Sequence, residues 1–428
     1  MIQTVKPAKK LAGNLQVPPD KSVSHRSALF AAIASGKSTI RNYSSAADPQ
    51  STLNCLAGLG VKIINNGSTI EVEGVGRDGL SSPAAPLDCG NSGTTMRLLA
   101  GIVAGAGVDC EMIGDESLSS RTMKRIIDPL RQMGCRIDAT RGEYAPLKVG
   151  THQGVRAMRY PLPIASAQLK SCVLLAGLYG CEPTEVIEQK FSRDHTERLL
   201  GLKSEPYGTG KIIRSSRSDE IPVQNYAVPG DFSAAAFWLV AAAISDDASI
   251  ELKNIGMNPS RIAALTVLDE MGTVIVRDNV RNEGKEPVAD LTARPAELKN
   301  IDLDPILVPN CIDELPILMV AMCFADGQSI ISGAEELRHK ETDRLSAMAE
   351  ILTLAGADVA LKPDGIMING RRDFVPEPAA YPTWHDHRMA MAAAILATRS
   401  SGVSKIKDAE CTAISYPEFW QHVQELNP

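Results

Sequence analysis

Three short segments rich in Ser, Asn, Thr, Lys and Arg each stand directly before a helix of small apolar residues. They are Lys21–Arg26 (KSVSHR), Gly90–Arg97 (GNSGTTMR) and Ser166–Lys170 (SAQLK). Phosphates and carboxylates bind readily at such positions, because a helix N-terminus presents unpaired N–H groups and the positive end of the helix dipole. Ser, Asn and Thr are also ordinary N-caps, which would explain one such helix. Since three helix starts share the pattern and each carries a glycine or a cation, the sequence predicts a ring of phosphate-binding sites.

A second group of segments places arginine directly after serine at the predicted start of a longer helix. They are Ser119–Thr122 (SSRT), Ser192–His195 (SRDH) and Ser260–Arg261. We interpret these arginines as a second set of candidate anion ligands.

The segment Arg338–Arg344 (RHKETDR) has the highest density of charge. Lys340 and Arg344 are four residues apart, so a helix would place them on one face, where like charges repel unless an anion bridges them. The alternative is a solvated face whose cations pair with Glu341 and Asp343. The residues alone leave both interpretations open.

Two further helix starts carry acidic residues. His385–Arg388 (HDHR) has the ligand types of a metal site, but no further ligand cluster is apparent, so we predict no metal and interpret Arg388 as a phosphate ligand. Asp313 and Glu314 open another helix, where acidic residues commonly complement the dipole. Asp313 becomes a candidate for chemistry only if it faces cations from the other half of the chain. No Ser/His/Asp spacing is recognisable, and GKST at Gly36 lacks the upstream glycine of a P-loop.

The elements that must position these residues form an internal repeat. A helix of small apolar residues followed by a short strand occurs six times, with helix starts near residues 21, 91, 166, 231, 313 and 386. A second type of apolar helix ends in glycine before a β-branched run, as at Gly60 and Gly134. Glycine there suits the C′ position, where φ is positive. Six copies predict two similar α/β lobes of three copies each, with a crossover at residues 221–231.

Composition restricts the class of protein. The chain has 428 residues, a net charge of −7 and 44% apolar residues, which is typical of a soluble globular protein. No long basic run is present, so we predict no nucleic-acid partner. The longest uncharged apolar run, Ala234–Ile244, is too short to span a membrane. Nine cysteines without a CxxC pair indicate buried thiols in a reducing, cytoplasmic compartment, and we expect a monomer without a secretory signal.

The motifs together resemble the 5-enolpyruvylshikimate-3-phosphate (EPSP) synthase family over essentially the whole chain. In order they are PPDKSVSHRSALFAA, CGNSGTTMRLLAG, SLSSRTMKRIIDPL, SAQLKSCVLLAGL, SRDHTERLL, VPGDFSAAAFW, DELPILMVAMC, RHKETDRLSAM, HDHRMAMAAA and SYPEFW. The resemblance implies an α/β fold of two similar lobes, each built from three βαβαββ repeats in the inside-out barrel arrangement of enolpyruvyl transferases. It implies an N-terminal lobe of residues 21–226 and a C-terminal lobe of residues 1–20 plus 227–428, with crossovers near residue 20 and at residues 225–231.

The resemblance also implies a reaction. The enolpyruvyl group of phosphoenolpyruvate moves to the 5-hydroxyl of shikimate 3-phosphate and phosphate is released, without a cofactor or metal. By motif, the implied shikimate 3-phosphate contacts are Lys21, Ser22, Arg26, Ser166, Ala167, Gln168, Arg193, Asp313 and Lys340. The implied phosphoenolpyruvate contacts are Lys21, Asn91, Gly93, Thr94, Arg121, Gln168, Lys340, Arg344 and Arg388, with Ser92 shaping the same turn. Asp313 and Glu341 are implied as the proton-transfer pair, assisted by Lys21.

The chemistry of that reaction requires two proton transfers. The hydroxyl attacks C2 while C3 gains a proton, which gives a tetrahedral intermediate, and loss of phosphate reverses the C3 transfer. One group must accept the hydroxyl proton and another must give and retake the C3 proton. Asp313 suits the first role and Glu341 the second, and the residues leave that assignment open. Because the implied residues come from both lobes, we expect lobe closure to assemble the site and exclude water.

Four positions refine the resemblance. Ala167 stands where some members have serine, and Ile414 where some have lysine. The SRDHTE segment is similar to a branch in which Arg193 adds a phosphate contact. Gly93 stands where glyphosate-tolerant members have alanine, so we expect glyphosate to compete with phosphoenolpyruvate.

Two other functions fit parts of the sequence. UDP-N-acetylglucosamine enolpyruvyl transferase shares the fold type, but a reactive cysteine on a lobe loop would be expected and the KSVSHR start does not fit it. A non-catalytic phospho-ligand-binding protein could use the same scaffold, but intact Lys21, Asp313 and Glu341 argue against it. A phosphate-release assay with both substrates separates the three.

Overall fold

The computed structural model describes residues 1–427, which fall into two compact units. The N-terminal unit is Pro19–Val228, and the C-terminal unit combines Met1–Pro18 with the chain from Pro229 onward. Each unit has its own hydrophobic core.

Helices and strands alternate along the chain as the repeat predicts. The C-terminal unit supplies the first two strands, β1 (Gln3–Val5) and β2 (Leu11–Leu15). The N-terminal unit contains α1 (Lys21–Ile33), β3 (Ser35–Arg41), α2 (Ala47–Gly58), β4 (Lys62–Asn66), β5 (Thr69–Val75), β6 (Leu87–Asp88), α3 (Gly93–Ala106), β7 (Cys110–Ile113), α4 (Glu116–Ser119), α5 (Lys124–Gln132), β8 (Arg136–Thr140), β9 (Tyr144–Gly150), β10 (Arg159–Pro161), α6 (Ala167–Gly177), β11 (Thr184–Glu188), α7 (His195–Leu200), β12 (Ser204–Tyr207), β13 (Gly210–Ser215) and β14 (Asn225–Ala227).

The rest of the chain belongs to the C-terminal unit. It contains α8 (Phe232–Ala243), β15 (Ala248–Gly256), α9 (Ala263–Glu270), β16 (Val274–Glu283), β17 (Glu286–Arg294), α10 (Val308–Cys311), α11 (Leu315–Cys323), β18 (Gly327–Ile331), α12 (Arg344–Leu354), β19 (Asp358–Lys362), β20 (Gly365–Gly370), β21 (Ala380–Tyr381), α13 (His387–Ala397), β22 (Ser404–Ile406), α14 (Phe419–Leu426) and two 3₁₀ helices, Glu335–His339 and Ala409–Ile414. The six helices of small residues begin at positions 21, 93, 167, 232, 315 and 387, each within two residues of the predicted start.

The three sheets of the N-terminal unit share one topology. Their strand orders are β14-β3-β5-β4, β6-β7-β9-β8 and β10-β11-β13-β12. In each sheet the first pair is parallel and the other two pairs are antiparallel. Two of the copies are continuous βαβαββ segments, and the third takes its edge strand from β14 at the end of the unit. The predicted α/β repeat is therefore confirmed.

The C-terminal unit repeats the pattern with strands borrowed from the start of the chain. Its sheets have the orders β2-β15-β17-β16, β18-β20-β19 and β1-β22-β21. Strand β2 pairs parallel to β15, and β1 pairs antiparallel to β22. Among residues 1–427 the strands form these six small sheets, and none of the sheets closes into a barrel. The barrel arrangement expected from the family resemblance therefore consists of separate sheets.

Glycines allow both the helix ends and the close packing of the helices. Gly60 follows α2 at φ +88°, a conformation that side chains with a Cβ rarely adopt, as the C′ prediction requires. In α3, a Cβ on Gly101 would lie 2.4 Å from the carbonyl oxygen of Cys172 in α6. Small residues therefore let the central helices of neighbouring copies touch along their backbones.

The apolar segments and cysteines are accounted for within the units. All twelve residues of α8 are buried in the core of the C-terminal unit. No helix within residues 1–427 is both long enough and apolar enough to cross a bilayer. Eight of the nine cysteines are buried and unbonded, as expected, whereas Cys181 is exposed.

Candidate active site

The start of α1 places a lysine beside the first turn of α2. Asp20 caps α1 by accepting a hydrogen bond from the backbone N–H of Val23 at 2.8 Å. Lys21 follows, and its Nζ lies 3.0 Å from Asp48 Oδ2. The Lys21 side chain keeps 20% of its surface exposed, so it can reach a ligand.

Arg26 lies one turn further along α1 and is almost fully buried. Its Nε donates to Thr196 Oγ1 at 2.8 Å and its Nη2 to Ser171 Oγ at 3.0 Å, which ties α1 to α6 and α7. Its Nη1 donates to the carbonyl of Ser22 at 3.1 Å. These three acceptors are neutral and fix the orientation of the guanidinium group.

The start of α3 forms a polar turn. Ser92 caps the helix by accepting from the N–H of Thr95 at 3.0 Å. Asn91 bridges two charged groups: its Nδ2 donates to Asp115 Oδ2 and its Oδ1 accepts from Arg121 Nη2, both at 2.8 Å. The turn therefore holds the Arg121 guanidinium beside the N-terminus of α3.

The start of α6 is connected to the start of α3. Ser166 caps α6, of which Ala167 is the first residue. The side chain of Gln168 donates to Thr94 Oγ1 at 3.0 Å and accepts from Arg97 Nη1 at 2.7 Å. Two of the predicted helix starts, those of α3 and α6, are thus bonded to each other within the N-terminal unit.

Arg193 lies on a short segment between β11 and α7 and is partly exposed. Two buried side chains hold the preceding residue, Ser192, in place. Glu188 Oε1 accepts from the backbone N–H of Ser192 at 2.9 Å, and Lys170 Nζ donates to the Ser192 carbonyl at 3.3 Å.

Arg344 is the centre of a second cluster, which lies in the C-terminal unit. Its guanidinium is 1% exposed and lies 2.6 Å from Glu341, 2.7 Å from Asp386 and 3.5 Å from Asp313. Burial alone would lower the pKa of Arg344, but Asp386 and Glu341 raise it above its ordinary value. Arg344 therefore stays charged and lies between the two carboxylates predicted to transfer protons.

Arg388 approaches the same aspartate from α13. Its Nη1 donates to the carbonyl of Asp313 at 2.6 Å, and its Nη2 lies 3.8 Å from Asp313 Oδ2. Asp386 caps α13 by accepting from the Arg388 N–H at 2.8 Å. The cluster thus combines cations that can neutralise a phosphate with carboxylates that can exchange protons.

A family model for EPSP synthase (3-phosphoshikimate 1-carboxyvinyltransferase) matches residues 5–423. The chain belongs to the EPSP synthase family. It is 47% identical to the 3-phosphoshikimate 1-carboxyvinyltransferase of Salinibacter ruber, with 100% of both chains covered. It is 45% identical to that of Herpetosiphon aurantiacus, covering 100% of this chain and 99% of the other. Membership of this family makes the chain a transferase of the shikimate pathway.

Solved structures agree with this family. EPSP synthase from Acinetobacter baumannii superposes with a TM-score of 0.88 at 38% identity, covering 100% of this chain and 98% of that one. The enolpyruvyl transferase NikO from Streptomyces tendae has a TM-score of 0.76 at 16% identity, over 99% of this chain and 97% of that one. The second likeness concerns the fold alone, and the enolpyruvyl-transferase fold is confirmed.

The structure corrects the expected geometry of the HKETDR motif of the EPSP synthase family. Lys340 and Arg344 do not share a helix face, because Lys340 ends a 3₁₀ helix in an extended conformation and α12 begins only at Arg344. Asp343 causes the break by capping α12, where it accepts from the N–H of Ser346 at 3.1 Å. Lys340 pairs instead with Glu336 at 3.5 Å.

Two cations expected to bind anions are committed to buried ion pairs. Arg261 lies 2.9 Å from Glu314 and 3.1 Å from Asp231 and is 4% exposed. Lys170 is fully buried and lies 3.0 Å from Glu188 and 2.8 Å from Glu197. These two predictions are wrong, because the partner carboxylates come from elements that local sequence does not connect with them.

Sequence reasoning also missed two residues of the clusters. Arg97 lies within GNSGTTMR and has no predicted role, although its position one turn after Thr94 indicates that both face the same side of α3. Asp48, the partner of Lys21, belongs to none of the family motifs. Within residues 1–427, no three His, Cys, Asp or Glu side chains come together in a group that could hold a metal ion.

The buried pairs predict a pH dependence of stability. Burial favours a higher pKa for Glu197, but Lys170 and Lys211 outweigh it and lower that pKa below 4.5. A group whose pKa is lowered on folding contributes stability above its unfolded pKa and loses it as the pH falls through the folded value. We expect the urea concentration at the midpoint of unfolding to decrease as the pH is lowered below about 4.5. In Glu197→Gln this decrease should be less steep. An identical pH profile in that variant would contradict the assignment.

Proposed function

We propose that this chain transfers the enolpyruvyl group of phosphoenolpyruvate to the 5-hydroxyl of shikimate 3-phosphate and releases phosphate. The observation that carries this proposal is the full-length similarity to proteins named for that activity, at 47% and 45% identity. The side chains that the family motifs single out also form connected polar clusters in each unit, so the chain retains the residues that the reaction needs.

The N-terminal unit is proposed to bind shikimate 3-phosphate at the starts of α1 and α6. Lys21, Ser22 and Arg26 lie on the first turns of α1, and Arg26 is bonded to Thr196 of α7, the helix that follows Arg193. Ser166, Ala167 and Gln168 supply the cap and first turn of α6. Cations, hydroxyls and backbone N–H groups at a helix start are the donors that a phosphate monoester accepts.

Phosphoenolpyruvate is proposed to bind at the start of α3 and at the cations of the C-terminal unit. Asn91, Gly93 and Thr94 lie at the start of α3, and Arg121 donates to Asn91 there. Gln168, Lys21, Lys340, Arg344 and Arg388 are the other proposed contacts. Phosphoenolpyruvate carries a carboxylate and a phosphate, so its binding requires several positive charges, which a chain with a net charge of −7 must concentrate locally.

Proton transfer is assigned to Asp313 and Glu341, with assistance from Lys21. The two carboxylates lie on opposite terminal nitrogens of Arg344, at 3.5 and 2.6 Å. The two carboxylates share this cation, and one of them is proposed to act as the general base. The other must be protonated by the solvent or a substrate before it donates to C3. We propose that neither a metal nor a cofactor takes part.

The decisive experiment is a phosphate-release assay with phosphoenolpyruvate and each of two acceptors. Release with shikimate 3-phosphate, and a product heavier by the enolpyruvyl group in the mass spectrum, supports the proposal. Release only with UDP-N-acetylglucosamine would overturn it in favour of the other enolpyruvyl transferase. Binding of shikimate 3-phosphate without turnover would indicate a non-catalytic binding protein.

Gly93→Ala is expected to raise the glyphosate inhibition constant at least tenfold and the KM for phosphoenolpyruvate by less. A Cβ at this position would lie 2.9 Å from Arg97 Nη1, so the guanidinium that donates to Gln168 must shift and the added methyl group narrows the turn. The bulkier inhibitor is then excluded more strongly than the substrate. Inhibition kinetics against phosphoenolpyruvate measure both constants. Gly402→Ala, in a loop of the C-terminal unit, is the control, and equal constants in the two variants would contradict the expectation.

We further propose that the protein works as a monomer in the cytoplasm. The helices of small residues are buried within their own units, as α3 and α8 show, so they require no second chain. Eight buried thiols without disulfides suit a reducing compartment. Sedimentation equilibrium would give a mass near 45.8 kDa for the monomer and twice that for a dimer.

A further inference from the structure

A chain of buried hydrogen bonds connects the starts of α1 and α3 through α2. Thr52 Oγ1, on α2, lies 2.7 Å from His25 Nδ1 on α1 and 2.7 Å from Thr95 Oγ1 on α3. Thr95 Oγ1 continues to Ser92 Oγ, the N-cap of α3, at 2.8 Å. All four side chains are 0% exposed, so these bonds are protected from water.

His25 takes part in this chain as a neutral ring. Burial lowers its pKa well below 6.5, and the charges of Lys21 and Arg26 lower it further. Its Nδ1 bonds to Thr52, whereas its Nε2 has no hydrogen-bond partner within residues 1–427. An unpaired buried nitrogen is unfavourable. The bond from Nδ1 to Thr52, together with packing, therefore holds the ring in its orientation.

Both ends of the chain lie beside residues proposed to bind substrates. His25 stands on α1 between Ser22 and Arg26, which are proposed to bind shikimate 3-phosphate. Ser92 stands beside Asn91 and Gly93, which are proposed to bind phosphoenolpyruvate. The four buried groups themselves have no assigned contact with either substrate.

We propose that Thr52 and His25 are positioning residues that couple the binding of the two substrates. This inference rests on the proposed function. Each buried polar group loses stability if its partner moves away, so a shift of α1 on binding one substrate is transmitted through Thr52 to the start of α3. Coupling between two ligands is reciprocal, so phosphoenolpyruvate must favour shikimate 3-phosphate by the same factor.

The test compares Thr52→Val, which removes the hydroxyl and keeps the shape, with Thr52→Ser, which keeps the hydroxyl. Initial rates measured over a matrix of both substrate concentrations give the factor by which each substrate lowers the apparent dissociation constant of the other. We expect a factor of about five or more in the wild-type protein, near one in Thr52→Val, and within about twofold of wild type in Thr52→Ser. The control is Thr184→Val in β11, whose buried hydroxyl has no hydrogen-bond partner within residues 1–427.

A spectroscopic measurement separates positioning from a general loss of stability. The ¹⁵N spectrum of the His25 ring reports its tautomer and the hydrogen bond at Nδ1. We expect this signal to change in Thr52→Val and to stay unchanged in Thr184→Val. If Thr52→Val does not fold, His25→Leu removes the same bond from the other side and should abolish the coupling. His25→Asn keeps a polar atom near the Nδ1 position and should retain the coupling.

The outcomes distinguish this inference from the function on which it rests. A wild-type protein that releases no phosphate from the two substrates would overturn the proposed function. A wild-type protein that turns over without coupling, or a Thr52→Val variant that turns over with unchanged coupling, would overturn the inference and leave the proposed function intact.

Discussion

Asp313→Asn is expected to lower kcat about a thousandfold, because asparagine cannot take up a proton and general acid–base groups contribute on the order of 10²–10⁴ in rate. The variant should fold, since Arg344 keeps Asp386 and Glu341 as partners at 2.7 and 2.6 Å. The backbone carbonyl of residue 313 also still accepts from Arg388. The assay is phosphate release at saturating concentrations of both substrates.

The matched control is Asp302→Asn, which changes an exposed carboxylate of the same unit. Its kcat should stay within twofold of wild type. An Asp313→Asn enzyme within tenfold of wild type would rule out Asp313 as a proton-transfer group.

Glu341→Gln separates the two proton transfers. In ²H₂O, reversible formation of the tetrahedral intermediate carries deuterium into C3 of phosphoenolpyruvate. If Glu341 moves the C3 proton, its glutamine variant should lose this exchange together with turnover. Exchange at the wild-type rate in Glu341→Gln would assign the C3 proton to another group.

Lys170→Met is expected to destabilise the N-terminal unit by about 3–5 kcal/mol, the usual consequence of removing one partner of a buried ion pair. Glu188 is fully buried, and its remaining cation, Lys211, lies 3.5 Å away. Glu188 also accepts from Ser192, so a displacement of Glu188 would disturb the segment before Arg193. Urea unfolding followed by circular dichroism measures the loss.

Two variants show whether burial is the cause. Lys170→Met combined with Glu188→Met removes both charges and should recover part of the lost stability, because the unpaired carboxylate is gone. Lys62→Met breaks an exposed pair with Glu73 and should cost less than about 1 kcal/mol. Equal losses for Lys170→Met and Lys62→Met would show that the buried pair has no special importance.

Sequence patterns located the helix starts well because caps and glycine ends act over a few residues. Asp20, Ser92 and Ser166 each bond to a backbone N–H three residues ahead, which the local sequence is enough to predict. The glycine after α2 is equally local. For the same reason the repeat and the α/β class were readable from spacing alone.

The family motifs also identified most of the residues that the structure brings together. Thr94 bonds to Gln168, Asn91 to Arg121, and Arg344 to the carboxylate of Glu341. Their roles toward the substrates stay predictions, since a hydrogen bond within the protein does not identify a ligand.

The sequence by itself determined the repeating architecture, the positions of the helix starts and the family, because each depends on short-range chemistry or on whole motifs. Only the tertiary structure decided which cations remain available to an anion. Lys170 and Arg121 look equivalent as letters, but Lys170 pairs with the buried carboxylate of Glu188, 18 positions away, whereas Arg121 donates to the neutral side chain of Asn91. Such ion pairs form when the fold brings distant elements together. The low dielectric of the interior then strengthens the attraction, so a buried cation like Lys170 is not available to a ligand.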